Sequence, residues 1–143
     1  MRIIAAPPAD LVKDLLSTSE LPTSDITPSM LEAFYAYEDN GNIIGVVGLE
    51  MFETVALLRS LAVYEECRNK GIGSKLVKYA EGGAKSNGIV ALYLLTVTAE
   101  PFFNNAGYEK ITRDLAPEEI KQTSEFSGIC PVSSSFIVKK LIS

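Results

Sequence analysis

Leu61-Ala62-Val63, four linking residues, and then Arg68-Asn69-Lys70-Gly71-Ile72-Gly73-Ser74 is the stretch that decides how this chain folds. The apolar run Thr54–Val63 reads as a strand. Beyond the glycines, Ile72, Leu76, Val77, Ala80 and Ala84 fall on one face of a helix. A strand that feeds a glycine-rich turn into a helix N-terminus presents backbone N–H groups at the positive end of the helix dipole. Glycines let a phosphate approach the main chain, and Arg68 and Lys70 add positive charge. The stretch therefore predicts either a pyrophosphate site or a plain tight turn. It is not a Walker loop, because the four-residue gap and the Gly-Lys-Ser/Thr ending are missing. A dinucleotide fingerprint fails for want of its third glycine.

Working outward, Met1–Ala6 is a short apolar strand before a Pro-Pro break. Pro8 opens an amphipathic helix with Leu11, Val12, Leu15 and Leu16 on its stripe. Ser17–Ser29 reads as a loop. Within it Thr27-Pro28 supplies a cap and a first-turn proline for a short helix to about Ala33. Phe34–Glu38 and Asn42–Phe52 flank Asp39-Asn40-Gly41, and Asn-Gly is a strong hairpin signal. Downstream, Gly82-Gly83 weakens the last turn of the central helix, which is expected to fray. Val90–Val97 reads as a strand, Ala99–Asn105 as a short helix ended by Gly107, and Tyr108–Arg113 as a strand. Pro117–Thr123 reads as a helix and Ser135–Ile142 as a closing strand. The runs Ile43–Leu49 and Val90–Val97 are apolar on both faces, so helices should cover both sides of the sheet. The fold class is α/β with a mixed sheet: an antiparallel meander feeding a βαβ unit, with helices on both faces, over a single domain spanning residues 1–143.

Composition narrows the chemistry. The 143 residues are 47% hydrophobic and 22% charged, as in a soluble globular domain. Histidine is absent, which removes Ser-His-Asp triads, Cys-His dyads and histidine general bases. Cys67 and Cys130 cannot build a four-thiolate metal site, and no metal is expected. Without an export signal they are expected to be free thiols in a reducing cytoplasm. A net charge of −5 argues against a nucleic-acid surface, and the longest apolar runs, at seven residues, are far short of a membrane span. A homodimer is left open.

Arg68-x-x-Gly71-x-Gly73, directly after Leu58-Arg59-Ser60-Leu61-Ala62-Val63, resembles the acetyl-CoA motif of the GNAT N-acetyltransferases. Ala99–Tyr108, with Phe102-Phe103-Asn104 and the Gly107-Tyr108 step, resembles the helix that closes that fold. Three segments are also similar to the arsenic-resistance-associated branch of the family: Leu57–Val63, Leu92–Thr96 with Thr98-Ala99-Glu100, and Glu125–Pro131 with Cys130. The Leu-Thr, Phe-Phe and Gly-Tyr run is similar to the acetyltransferase domain of N-acetylglutamate synthases. The resemblance implies a GNAT-like acyl-CoA N-acyltransferase fold. It implies that acetyl-CoA is the co-substrate and that a small amino-acid-like amine attacks it directly in a ternary complex. The alternatives are a protein or peptide acetyltransferase, or a non-catalytic CoA-binding sensor.

The resemblance also assigns residues. Pantetheine would run along the backbone of Leu61, Ala62 and Val63, and the pyrophosphate would sit on Arg68, Asn69, Lys70, Gly71, Ile72, Gly73 and Ser74. Phe103 would complete the cofactor side, and Asn104 either reaches the pantetheine amide there or caps its helix. Many members carry a tyrosine acid where this chain has Phe103, and a glutamate where it has Leu57, so both roles are vacant. Glu50, at the end of the preceding strand, is then the candidate general base, with a solvated strand-end carboxylate as its alternative. Arg59 is a lone charge in an apolar strand, which must be paired or face a cleft. Its fork suits a substrate carboxylate or a structural ion pair. Ser60 and Thr96 are expected beside it.

Overall fold

The structure is a computed structural model that describes residues 2–21, 23–68, 70–130 and 133–141. Seven strands hydrogen-bond in the order β1-β2-β3-β4-β5-β7-β6. They are β1 (Arg2–Ala5), β2 (Phe34–Asp39), β3 (Asn42–Phe52), β4 (Val55–Val63), β5 (Ala91–Thr96), β6 (Glu109–Lys110) and β7 (Ser135–Lys140). The α-helices are α1 (Ala9–Thr18), α2 (Ile72–Ser86), α3 (Glu100–Asn105) and α4 (Glu118–Lys121). Contacts group the chain into two compact units. The first holds Met1–Glu50 and Leu58–Gly83, the second Met51–Leu57 and Ala84–Ser143.

In the first unit β1 pairs antiparallel with β2, and β2 with β3. The β2–β3 turn follows its sequence signal: Asn40 and Gly41 sit at φ +51° and +80°, the left-handed pair that a tight hairpin demands. Val12, Leu15 and Leu16 of α1 pack with Phe34, Val46 and Ala62. A β-carbon on Gly45 would stand 3.0 Å from Leu76 and 3.2 Å from Ile72, so α2 lies against that residue. Gly45 and Val46 are successive strand residues and point to opposite faces. Both faces of this part of the sheet are therefore covered.

In the second unit Val55–Leu57 of β4 run parallel to Ala91–Tyr93 of β5. Parallel neighbours need a crossover, and α2 provides it. β5 and β6 each pair antiparallel with β7. Leu57, Ala116, Ile120 and Phe136 form the core here, with Tyr93 and Phe126 stacked around Phe136.

Three boundaries depart from the sequence reading, each for a local reason. α1 runs on to Thr18, whose hydroxyl donates to the Leu15 carbonyl. Thr27 does cap the next turn, accepting the Met30 N–H, but Met30–Ala33 is a 3₁₀ turn. α2 carries the glycine pair within it, as the sequence reading placed it. It continues to Ser86, because Gly83 gives room to the Tyr35 hydroxyl, which would stand 2.7 Å from a β-carbon there. The strand expected over Tyr108–Arg113 shrinks to Glu109–Lys110. A 3₁₀ turn follows at Arg113–Leu115, where Asp114 accepts a hydrogen bond from the Thr112 side chain. A π-helical turn at Glu125–Ile129 had no sequence signal. Met1 and Ile142, the outer ends of two expected strands, lie outside the described residues.

Candidate active site

The strand-to-helix connection is built in three steps within the first unit. At the end of β4, Tyr64 N–H donates to the Ile44 carbonyl (3.0 Å), which anchors the exit. A 3₁₀ turn over Glu65–Cys67 follows, closed by Cys67 N–H on Tyr64 (2.8 Å) and Arg68 N–H on Glu65 (3.2 Å). Gly71 then takes φ +78°, and α2 begins at Ile72. The helix-opening bond is Lys75 N–H to the Gly71 carbonyl, 3.1 Å. The amides of Ile72, Gly73 and Ser74 precede it, at the positive end of a helix 15 residues long. Ile72 is buried and pins the turn, while Gly71 and Ser74 are exposed. A β-carbon on Gly71 would meet none of the described residues within 4 Å, so the space beside this turn is open on that side.

That cradle fits a diphosphate. Arg68 is partly committed to the loop itself, since its Nε donates to the Val63 carbonyl at 2.9 Å. Lys70 is exposed. Asn69, also expected here, lies outside the described residues.

Upstream on β4 is a buried charge cluster. The side chain of Arg59 is fully buried. Its fork grips Asp25 with two bonds, Nη1 to Oδ2 at 2.5 Å and Nη2 to Oδ1 at 2.9 Å. Nη1 also donates to Glu50 Oε2 at 2.9 Å, and Nε donates to Ser60 Oγ at 3.0 Å. Burial pushes the Asp25 carboxyl up. The hydrogen bonds and charge of Arg59 outweigh that and hold it below the ordinary value of 3.8. One guanidinium thus faces two carboxylates.

Ser60, buried beside the cluster, sits at φ +58° inside a strand. For a residue with a β-carbon this is sparsely populated backbone, stable only where the surroundings enforce it. The next residues are Leu61, Ala62 and Val63. The structure thus brings Glu50, Arg59 and Ser60 together. It adds Asp25, which sequence reasoning missed. Asp25 is the sole charged residue between Glu20 and Glu32 in a Ser/Thr/Pro-rich loop. The need of a buried arginine for a carboxylate was the one signal that pointed to it.

The remaining candidates belong to the second unit. Thr96 Oγ1 accepts the Ala99 N–H (3.0 Å) at the entry to α3. Phe103 is buried edge-on to Phe102 and Tyr108, with ring centroids 5.0 and 5.3 Å away. Asn104 is exposed on the last turn of α3. Leu57, where a glutamate was sought, is fully buried in the apolar core. Cys67 and Cys130 are not joined in a disulfide.

The Tyr64 hydroxyl donates to Asp14, 3.3 Å, and Tyr93 stacks on Phe136. Tyr→Phe changes at Tyr64, Tyr93 and Tyr108 should each leave kcat within about threefold. A loss of about 100-fold in any of them, the size of a general-acid contribution, would assign that role to it.

Residues 31–110, more than half of the chain, match the family description "Acetyltransferase (GNAT) domain". The chain belongs to the GNAT acetyltransferase family. Among GNAT relatives, an uncharacterised N-acetyltransferase of Chlorobaculum tepidum is 36% identical over 88 residues, covering 61% of this chain and 56% of that protein. An amino-acid acetyltransferase of Ralstonia nicotianae is 31% identical over 88 residues, 60% of this chain but only 20% of that protein. The chain therefore spans about half or less of the curated relatives it matches. The solved structure of N-acetylglutamate synthase from Neisseria gonorrhoeae, complexed with coenzyme A and N-acetylglutamate, superposes with a TM-score of 0.82. It covers 99% of this chain and 35% of that one at 21% identity, a likeness of GNAT fold.

Proposed function

We propose that this chain is an acetyl-CoA-dependent N-acetyltransferase acting on the amine of a small amino-acid-like acceptor. The observation that carries the reading is the β4–loop–α2 connection, where Gly71 leaves open space beside the turn that starts a long helix. The pyrophosphate is assigned to residues 68–74, and the pantetheine and thioester to the backbone of Leu61–Val63. Phe103 and Asn104 are kept as cofactor contacts, and Arg59, Ser60 and Thr96 as acceptor-side residues. Each is judged by its own substitution.

In the reaction the acceptor ammonium gives a proton to Glu50, directly or through water. Its nitrogen then attacks the thioester carbonyl. The C–N bond forms as the C–S bond breaks, and the proton shed by the newly acylated nitrogen passes to the thiolate as CoA leaves. Most of the rate comes from holding amine and thioester in line and from a main-chain N–H on the carbonyl oxygen.

The activities for which two relatives are named, amino-acid acetyltransferase and N-acetylglutamate synthase, support an amino-acid-sized acceptor. Membership of the arsenic-resistance-associated branch rests on the Leu57–Val63, Leu92–Thr96 and Glu125–Pro131 segments. It predicts that arsenical amino compounds belong in the acceptor panel.

The test is release of free CoA from acetyl-CoA across a panel of amino acids, plain amines and peptides, alongside calorimetric binding. Turnover with an amino-acid-sized amine is expected. Tight acetyl-CoA binding with no release by any amine would make the chain a CoA-binding module instead.

A further inference from the structure

Asp25 stands outside the motifs assigned to the transfer reaction, yet it makes the two-oxygen grip on the Arg59 fork. We propose that Asp25 is a positioning residue for acetyl transfer: through Arg59 it holds Ser60 in the left-handed region and so sets the direction of the Ser60–Leu61 peptide. This rests on the reading that the Leu61–Val63 backbone receives the thioester.

The chain of contacts is short. Serine inside a strand keeps φ +58° only under constraint, and the Nε bond of Arg59 to Ser60 Oγ supplies one. That bond fixes Ser60 only while the guanidinium itself is fixed. A planar fork held at both nitrogens by both oxygens of one carboxylate has a single orientation. Glu50, with one bond at 2.9 Å to the same Nη1, does not provide that second point. Through Arg59, 34 positions away along the chain, the Asp25 loop therefore sets the backbone direction at Ser60. Ser60 immediately precedes the segment on which the thioester carbonyl must be oriented. Small errors in that orientation are costly to catalysis.

Asp25→Asn and Asp25→Glu test this in the full chain, each alone and combined with Ser60→Gly. Asp25→Asn should lower kcat about 10- to 100-fold with the KM for acetyl-CoA unchanged. It should also move the Leu61 amide resonance and the Ser60 HN–Hα coupling in the unliganded protein. Asp25→Glu should recover part of the loss. Adding Ser60→Gly to Asp25→Asn should bring the Leu61 amide resonance back toward its wild-type position without restoring the melting temperature, because glycine takes φ +58° without strain.

If Asp25→Asn shifts the melting temperature while kcat and the Leu61 and Ser60 resonances stay put, the residue is only a structural partner and the proposal fails. If the wild-type chain acetylates no amine, the proposed function fails, and the two resonances still decide the clamp. Should Asp25→Asn not fold, the same measurements on Asp25→Glu apply, and unmoved resonances there overturn the clamp.

Discussion

Replacing Gly71 by valine should weaken acetyl-CoA binding by about 100-fold while the chain stays folded. Gly71 sits at φ +78°, which glycine adopts freely and a β-branched residue resists by roughly 1–2 kcal/mol. The strain alone is too small to unfold a domain of this size. It is relieved by rotating the Lys70–Gly71 backbone, and that rotation moves the start of α2. The amides of Ile72, Gly73 and Ser74 then no longer converge on one anion. Hydrogen bonds to a charged group contribute about 1.5–3 kcal/mol each, so losing one or two accounts for about 100-fold. A new β-carbon in the open space beside the turn adds to the loss. Gly82→Ala is the control, since a β-carbon there meets nothing within 4 Å. It should leave affinity unchanged and add up to about 1 kcal/mol of stability. Calorimetry showing wild-type affinity for Gly71→Val would remove the pyrophosphate from this loop.

How much of this was legible beforehand follows the range of each interaction. The Asn40-Gly41 turn, the Thr27 cap, the β4–loop–α2 step and the end of α3 at Gly107 are written in neighbouring residues. They appear where the sequence put them. The face of α2 through Ala84 was legible too, whereas the room that Gly83 leaves was not, because it serves Tyr35 on a different element. At the site, the placement of Glu50 beside Arg59 was half visible, as a lone arginine in an apolar strand asks for an anion. Its main partner, Asp25, was not, because loop sequence carries no periodicity from which a contact 34 residues away can be read. The left-handed Ser60 was invisible for the same reason. Serine has no local preference for that conformation, and the bonds around it are tertiary.

Arg59→Leu should destabilise the chain by about 3–5 kcal/mol at neutral pH, the largest effect expected from a single side chain here. Leucine removes the positive charge but leaves Asp25 and Glu50, whose side chains are 8% and 18% exposed. Neither is then compensated, and each repels the other. The pH dependence separates this from lost packing. In the wild type Asp25 titrates below its ordinary value, so its contribution is complete above the unfolded pKa of about 3.9 and is lost as pH falls through the lower folded value. In Arg59→Leu the sign reverses. Burial and the nearby Glu50 charge, no longer offset by Arg59, raise the Asp25 carboxyl, so the folded variant takes up its proton first and gains relative stability on acidification. The deficit should therefore shrink between about pH 7 and pH 4, measured by urea melts at several pH values. Asp25→Asn and Glu50→Gln added to Arg59→Leu should recover part of the loss at pH 7, because the groups left behind are neutral. A deficit that is the same at every pH, or smaller than about 1 kcal/mol, would show that the cluster is too solvated to act as a buried ion network.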